Sequence, residues 1–261
     1  MDKKKVSPIK DKPLRLPAQS LTEEREAIFD DKIQPWLLWA TFVVLLAGLE
    51  WYRYFLPVSP SPKLLSAIAA VSVAFVAWKI IRLRPKLRHL RQAIEGERVV
   101  GQFLERLREQ GYVIFHDVVA PGFNIDHVLV GPAGIFSVET KTWSKASGSN
   151  AKIVYDGQRL LCGPHEPDRD PIAQCKAQAN WLKSVITEST GRKAEVFPVL
   201  LFPGWYTEQA PETKRTLWVL EPKSLPAFLQ REPARLSPED CKLFAFHLSR
   251  FIRSVGRASA A

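Results

Sequence analysis

Three side chains able to do chemistry lie close together between residues 124 and 141. Asp126 starts one apolar run of strand-like sequence, and Glu139 and Lys141 end the next. Side chains two apart on a strand point to the same face, so Glu139 and Lys141 are expected to project together. A hairpin turn at residues 131–134 would bring Asp126 beside them. Two carboxylates and a lysine on one face can hold a divalent metal, activate a water molecule and stabilise a phosphate.

Each of these three side chains also has an ordinary structural explanation. Glu139 and Lys141 could form an ion pair at the solvated end of an edge strand. Asp126 could be a turn residue that caps its own backbone. Because all three fall in register with one another, the pattern favours a metal site over three independent structural roles.

A fourth acidic side chain is predicted on the buried side of a helix. Residues 87–110 follow helical periodicity, with an apolar stripe that runs from Leu90 to Leu104. Glu97 falls on this stripe, where a carboxylate is unfavourable unless it is paired or bound to a metal. We therefore predict a role for Glu97 at the site, with a structural salt bridge to a neighbouring Arg or Lys as the alternative.

These residues resemble the Asp…Glu-x-Lys core of the PD-(D/E)XK nuclease superfamily, and their surroundings resemble its nuclease-related (NERD) branch. The triplet alone would be a weak signal, but an ordered set of segments between about residues 93 and 205 is more specific. The matching segments are Gly96-Glu97, Asn124-Ile125-Asp126-His127, Gly134-Ile135-Phe136, Glu139-Thr140-Lys141, residues 171–174 and residues 196–202.

The resemblance implies a restriction-endonuclease-like fold and a metal-dependent nuclease activity on nucleic acid, with DNA favoured over RNA. In that family pattern Asp126 and Glu139 would bind Mg²⁺, which Mn²⁺ could replace, helped by the Thr140 carbonyl and by Glu97. Lys141 would orient the attacking water or stabilise charge that develops at phosphorus. The order of helix, consecutive strands, helix and strand agrees with an α/β protein built on a mixed central sheet flanked by helices.

The side chains around this triplet leave some interpretations open. Gln174 lies on a predicted helix, four residues before Gln178, and the resemblance places a glutamine here near the catalytic groups; it could equally be ordinary helix surface. Trp143 and Lys145 could stack a base and bind a phosphate, or they could anchor a loop. His127 has the opposite strand parity to Asp126, so we expect it to face away from the site and to pack or hydrogen-bond elsewhere.

Two apolar segments precede the nuclease-like region. Residues 36–56 and 64–81 are each about long enough to cross a bilayer, and aromatic side chains collect at their ends as in an interfacial belt. Glu50 and Arg53, near the end of the first segment, are spaced to pair on one helix face. We predict a transmembrane helical hairpin that turns at residues 57–62, in preference to two buried helices of a soluble core.

The distribution of charge predicts the orientation of this hairpin. Six basic and no acidic residues lie from Lys79 to Arg91, and the N-terminal tail is also basic. By the positive-inside tendency both termini would face the cytoplasm, at the cell (inner) membrane. Residues 93–261 are nearly balanced, with 21 Lys/Arg against 19 Asp/Glu, so the net charge of +10 does not by itself indicate nucleic-acid binding.

The sequence is therefore predicted to have five segments and leaves two functions open. Its three cysteines lack the spacing of a zinc site or a disulfide framework. The leading hypothesis is a membrane-anchored, Mg²⁺-dependent nuclease, and the alternative is a catalytically silent nucleic-acid-binding or scaffold module tethered to the membrane. The predicted segments are a flexible tail (1–35), the hairpin (36–81), a basic linker helix (82–92), the nuclease-like domain (93–222) and a C-terminal helical extension (223–261).

Overall fold

The computed structural model describes residues 14–56, 61–145, 152–162 and 170–258. These residues form two compact units: Ser20–Gln92 is one, and Ala93–Ala261 together with the N-terminal residues up to Gln19 is the other. Most of the turn predicted at residues 57–62 lies outside the described residues, as do residues 146–151 and 163–169.

The described secondary structure of the unit Ser20–Gln92 is helical. The unit contains most of α1 (Gln19–Lys32), all of α2 (Gln34–Tyr54) and the first part of α3 (Pro62–Leu104). Small buried side chains, Ala47 on α2 and Ala69 on α3, form a local apolar cluster where these two helices meet. Among the described residues, two helical stretches are long and apolar enough to cross a membrane by length and composition: Gln19–Tyr54 and Pro62–Gln110.

Several local predictions for this region can be compared with the structure. The predicted pair forms, with 2.9 Å between Arg53 Nη1 and Glu50 Oε1. Part of the segment predicted as a flexible tail is helical, since α1 lies within it. The predicted second span and the predicted linker lie on one continuous helix, because α3 runs through Pro85 and continues to Leu104.

The second unit is built on a five-stranded mixed sheet. Its strands are β1 (Val113–Ala120), β2 (Phe123–Gly131), β3 (Gly134–Thr140), β6 (Val196–Leu201) and β8 (Trp218–Leu220). The first three form an antiparallel meander with short turns, and β3 then pairs in parallel with β6, which pairs in parallel with β8. The order across the sheet is therefore β1-β2-β3-β6-β8. This arrangement confirms the predicted mixed α/β class.

A small second sheet accompanies the main one. It consists of β4 (Lys152–Tyr155), β5 (Leu160–Cys162) and β7 (Tyr206–Gln209), in the order β5-β4-β7. The strands β4 and β5 form a hairpin, and Asp156 Oδ1 stabilises its turn by accepting the backbone N–H groups of the two residues before β5. The strand β7 was not predicted, because Tyr-Thr-Glu-Gln has no apolar alternation and its pairing partner is distant in sequence.

Helices cover both faces of the main sheet. On one face the end of α3 and the short helix α5 (Leu225–Arg231) pack on a core that includes Leu104, Leu129 and Phe136. On the other face lie α4 (Pro171–Thr190) and α6 (Pro238–Ala258). The helix α4 starts at Asp170, whose carboxylate accepts the first free backbone N–H groups of the helix, as an N-cap should.

Candidate active site

The antiparallel pairing of β2 and β3 brings the two predicted acids together. His127 pairs with Val138, and one further step in the same register places Asp126 opposite Glu139. Directly opposite residues of a strand pair share a face, with their Cβ atoms about 5 Å apart. The Asp126 side chain is held by the backbone N–H of Thr140, which donates to Oδ2 over 2.7 Å. The local hairpin therefore positions both carboxylates at one end of the sheet.

Lys141 extends the pattern of β3 by one residue beyond the strand. Its backbone N–H donates to the Leu201 carbonyl over 2.8 Å, which continues the parallel ladder with β6. Its Nζ lies 2.5 Å from Glu139 Oε1 and 2.9 Å from Gln174 Oε1. The predicted convergence of Asp126, Glu139 and Lys141 is thus found in the structure.

Two glutamines of α4 fix the carboxylate of Glu139 from the helix side. Gln174 Nε2 donates to Oε1 over 2.8 Å, and Gln178 Nε2 donates to Oε2 over 2.7 Å. Gln178 also donates to the Asn124 carbonyl on β2, so it ties the helix to both strands of the site. The four-residue spacing of the two glutamines was visible in the sequence, but it did not assign a role to Gln178.

Glu97 reaches the same region from α3, where it is only 4% exposed. Its Oε1 accepts the backbone N–H of Ala18 over 2.7 Å. The contact depends on close approach of the N-terminal segment to the helix, since a Cβ at Gly101 would lie 2.6 Å from the ring of Pro17. Glu97 Oε1 therefore accepts from a backbone amide and not from the Arg or Lys side chain of the predicted alternative.

The N-terminal segment that supplies this amide was missed by sequence reasoning. Residues 14–18 looked like part of a polar tail, yet Arg15 forms an ion pair with Asp117 and Ala18 is buried. Ala18 and Asp117 both have positive φ angles, +58° and +49°, which are strained for residues other than glycine. Backbone strain of this kind persists only where surrounding contacts enforce it.

The three carboxylates influence one another electrostatically. The pKa of Glu97 is raised to about 8, chiefly by burial and also by the negative charges of Asp117 and Glu139, while the hydrogen bond from the Ala18 N–H opposes the rise. Burial also raises the pKa of Asp126 well above its usual range, and Glu139 and Glu97 add to this, while the Thr140 N–H and Lys141 oppose it. Without a cation, Glu97 therefore keeps its proton at neutral pH, and the pKa of Asp126 is shifted in the same direction.

The donor set fits Mg²⁺ bound by few carboxylates. Among the described residues, no group of three or more His, Cys, Asp or Glu side chains is arranged to hold a metal ion. Magnesium, however, commonly uses one or two carboxylates together with water and phosphate oxygens. Gln178, which contacts Glu139, has a buried Oε1 without a hydrogen-bond partner among the described residues, and this leaves a polar atom for ordered water.

The histidine beside Asp126 belongs to a separate buried network, as its strand parity predicted. His127 Nδ1 lies 2.8 Å from His116 Nδ1, and His116 Nε2 lies 2.8 Å from Glu105 Oε1. Burial lowers the pKa of both imidazoles. His127 is therefore a hydrogen-bonding core residue on the other face of the sheet.

The contacts of Trp143 and Lys145 favour the interpretation in which both side chains anchor a loop. The Trp143 ring packs against Phe202 at 4.9 Å between centroids, and its carbonyl accepts the indole N–H of Trp205. Lys145 donates to the Gly204 carbonyl and lies over the Trp205 ring. Both side chains hold the segment after β3 against the end of β6.

A mixed sheet that presents two acids and a lysine at the end of an internal hairpin is thus the framework of this α/β domain. Residues 92–203 match the family model of the nuclease-related domain, NERD. The match confirms the resemblance for that part of the chain, which two long apolar helices precede. Neither a curated protein nor a solved structure matches the chain.

Proposed function

We propose that this protein is a membrane-anchored, Mg²⁺-dependent nuclease that hydrolyses phosphodiester bonds of nucleic acid, with DNA as the favoured substrate. The observation that carries the proposal is the fixed arrangement of Asp126, Glu139 and Lys141 on one face of the sheet. The family match supports a nuclease-related function for the same residues. The choice of Mg²⁺ rests on the chemistry of the site, and the choice of DNA rests on the family resemblance.

Each residue has a defined task in this proposal. Asp126 and Glu139 would hold Mg²⁺, assisted by the Thr140 carbonyl and by Glu97, and the bound ion would supply polarisation of the phosphate and of a water molecule. Lys141 keeps a positive charge next to Glu139, where it can orient the nucleophilic water or stabilise charge at phosphorus.

The glutamines of α4 act through these groups. Gln174 bridges Lys141 and Glu139, because it accepts from the first and donates to the second. Gln178 fixes the other oxygen of Glu139. Together they restrict the rotamers of both charged side chains, and such preorganisation is what a metal-dependent hydrolase requires of the residues around its site.

The apolar helices support the membrane part of the proposal. Large apolar side chains on them are mostly exposed in the chain itself, for example Leu45 at 66% and Val71 at 70%. A pair of helices in a soluble core would bury such side chains, whereas helices in a bilayer expose them to lipid. The basic residues from Lys79 to Arg91 favour a cytoplasmic position for both termini at the inner membrane.

A direct test of the metal site is calorimetric titration of the full chain in neutral detergent with Mg²⁺ and Mn²⁺. We expect Asp126→Asn to abolish binding, because it removes one of the two principal carboxylate ligands while keeping the acceptor for the Thr140 N–H. The full chain is required, since Ala18 contributes to the site. The exposed Glu188→Gln on α4 is the matched control and should bind as the parent does. Equal binding by parent and Asp126→Asn would contradict the proposal.

The role of Lys141 can be separated from metal binding. Lys141→Met is expected to lower the rate of cleavage of labelled DNA by about a hundredfold or more, which is the usual cost of losing one charge that stabilises a transition state. Metal affinity should be retained or increased, because the competing ion pair with Glu139 is gone. A Lys141→Met variant that cleaves at the parental rate would show that Lys141 has no role in the reaction.

A second candidate function is a catalytically silent module that binds nucleic acid or acts as a scaffold. It is favoured by the hydrogen bonds of the Glu139 carboxylate, which already accepts three side-chain donors. In that case the network is structural, and the titration and the cleavage assay would both be negative although the protein is folded.

A further inference from the structure

A concave surface with several cations lies at the end of the sheet opposite the acids. We name this concavity the basic groove; its volume is about 380 Å³, and a second concavity of similar volume adjoins it through shared residues. It lies between β6, the 3₁₀ helix Pro211–Arg215, β8 and α5. Its lining residues are Phe197, Lys214, Arg215, Trp218, Phe228, Arg231, Glu232 and Arg235.

The charges of the basic groove are only partly neutralised. Arg235 forms an ion pair with Glu232 at 2.5 Å. In the described part of the chain, Lys214, Arg215 and Arg231 form no ion pair. All three lie in the last turn of a helix, where a cation is favourable, but this does not explain why they converge on one concavity. Like charges at close range repel, so the groove is suited to a ligand with several negative charges.

The floor of the basic groove is aromatic and well supported. Trp218 is only 3% exposed and supports two phenylalanine rings. Its ring centroid is 4.9 Å from that of Phe197 and 5.4 Å from that of Phe228. Phe197 and Phe228 are partly exposed, and Lys214 Nζ lies 5.3 Å from the centroid of the Phe228 ring. Partly exposed aromatic rings beside cations are the features that bind unpaired bases and their phosphates.

The basic groove is separate from the catalytic acids. Phe197 pairs with Phe136, whereas Glu139 pairs with Leu200 three residues further along β6. This separation is about 10 Å along the strand. The two places also lie on different faces, since Phe136 and Trp218 belong to the core under α5 and Glu139 faces α4.

We infer that the basic groove binds a single-stranded nucleic acid, with phosphates on Lys214, Arg215 and Arg231 and a base against the two phenylalanine rings. A volume of about 380 Å³ is within the usual size of small-ligand sites and is enough for part of a strand, not for a duplex. The inference rests on the proposed function only in the choice of nucleic acid as the polyanion, since the groove is built from other residues than the catalytic site.

The test measures binding without cleavage. The full chain carrying Glu139→Gln, in detergent and in the presence of a chelator, is titrated with a fluorescent single-stranded 20-mer at several salt concentrations. Adding Lys214→Gln, Arg215→Gln and Arg231→Gln is expected to weaken binding about tenfold or more at low salt. Because each phosphate contact contributes about 0.7 to the logarithmic salt dependence for single strands, the slope should fall by about 2.

The matched control removes three exposed cations elsewhere, with Arg106→Gln, Lys242→Gln and Arg250→Gln, and should leave the slope nearly unchanged. Equal effects of the two triple variants would overturn the inference, since net charge alone would then explain binding. Loss of duplex binding as large as the loss of single-strand binding would overturn the assignment to a single strand. Competition by inorganic pyrophosphate as effective as that by the 20-mer would replace it with a small-phosphate site.

Failure of this inference differs from failure of the proposed function. A parent chain that cleaves DNA while the groove variants bind normally would reject only the groove. A parent chain that shows groove-dependent binding but neither binds metal nor cleaves would reject only the nuclease.

Discussion

Replacing Glu139 by glutamine is expected to reduce metal-dependent cleavage of nucleic acid by about three orders of magnitude. The substitution removes a charged metal ligand and the partner that holds Lys141 in place. Metal ions contribute several kcal/mol to stabilisation of the transition state, and about 1.4 kcal/mol corresponds to a tenfold change in rate. The measurement is the single-turnover rate on labelled DNA at saturating Mg²⁺.

The neutral replacement keeps the hydrogen-bonding shape of the side chain. The new amide could still meet Gln174 or Gln178 after a rotation of the amide groups, so the fold should survive; circular dichroism checks this. Glu188→Gln, exposed on α4, serves as the control and should cleave at the parental rate. If Glu139→Gln cleaves as fast as the parent, Glu139 has no catalytic role and the scaffold alternative gains support.

Replacing Glu97 by glutamine is expected to stabilise the metal-free protein at high pH. The pKa of Glu97 is about 8 in the folded chain against an ordinary value of 4.5. A carboxyl with a raised folded pKa contributes stability that is complete below about pH 4.5 and is lost as the pH rises through about 8. Linkage therefore predicts that the free energy of unfolding of the variant exceeds that of the parent by roughly 3 to 5 kcal/mol at pH 9, with little difference at pH 4.

The measurement is the unfolding midpoint, followed by tryptophan fluorescence between pH 4 and pH 9 in the presence of a chelator. A glutamine at position 97 can still accept the Ala18 N–H, so the change isolates the charge. Glu95→Gln, exposed two residues earlier on α3, is the matched control and should show the parental pH profile. A Glu97→Gln variant that is less stable than the parent at pH 9 would mean that the charge itself is stabilising. Addition of Mg²⁺ should narrow the difference at pH 9, because a bound cation stabilises the ionised carboxylate.

Much of the fold could be predicted because it depends on local patterns. The hairpin of β2 and β3 follows from two apolar runs and a short glycine-containing turn, and α4 follows from proline at its start and helical periodicity. The strand β7 could not be predicted in this way, because Tyr206–Gln209 is polar and becomes a strand only by pairing with β4, which is distant in the sequence. The short helix α5 was included only in a general helical extension.

The residues of the site also divide into those that local sequence could predict and those that it could not. Asp126, Glu139 and Lys141 were predictable because one hairpin brings them together. The tasks of Gln178 and of the Ala18 amide depend on packing of distant segments, α4 and the N-terminal residues, against that hairpin. Side chains or backbone groups that act through such long-range contacts leave no periodic signal in the sequence.

By itself, then, the sequence determined the two apolar helices, the mixed α/β class and the acidic hairpin, because each depends on the order of neighbouring residues. Only the tertiary structure decided that Glu97 is held by a backbone amide and that three cations near the C-terminal part meet in one groove. Residues 93–261 are almost neutral in composition. Whether their charges gather on one surface depends on how the elements pack, and composition does not contain that information.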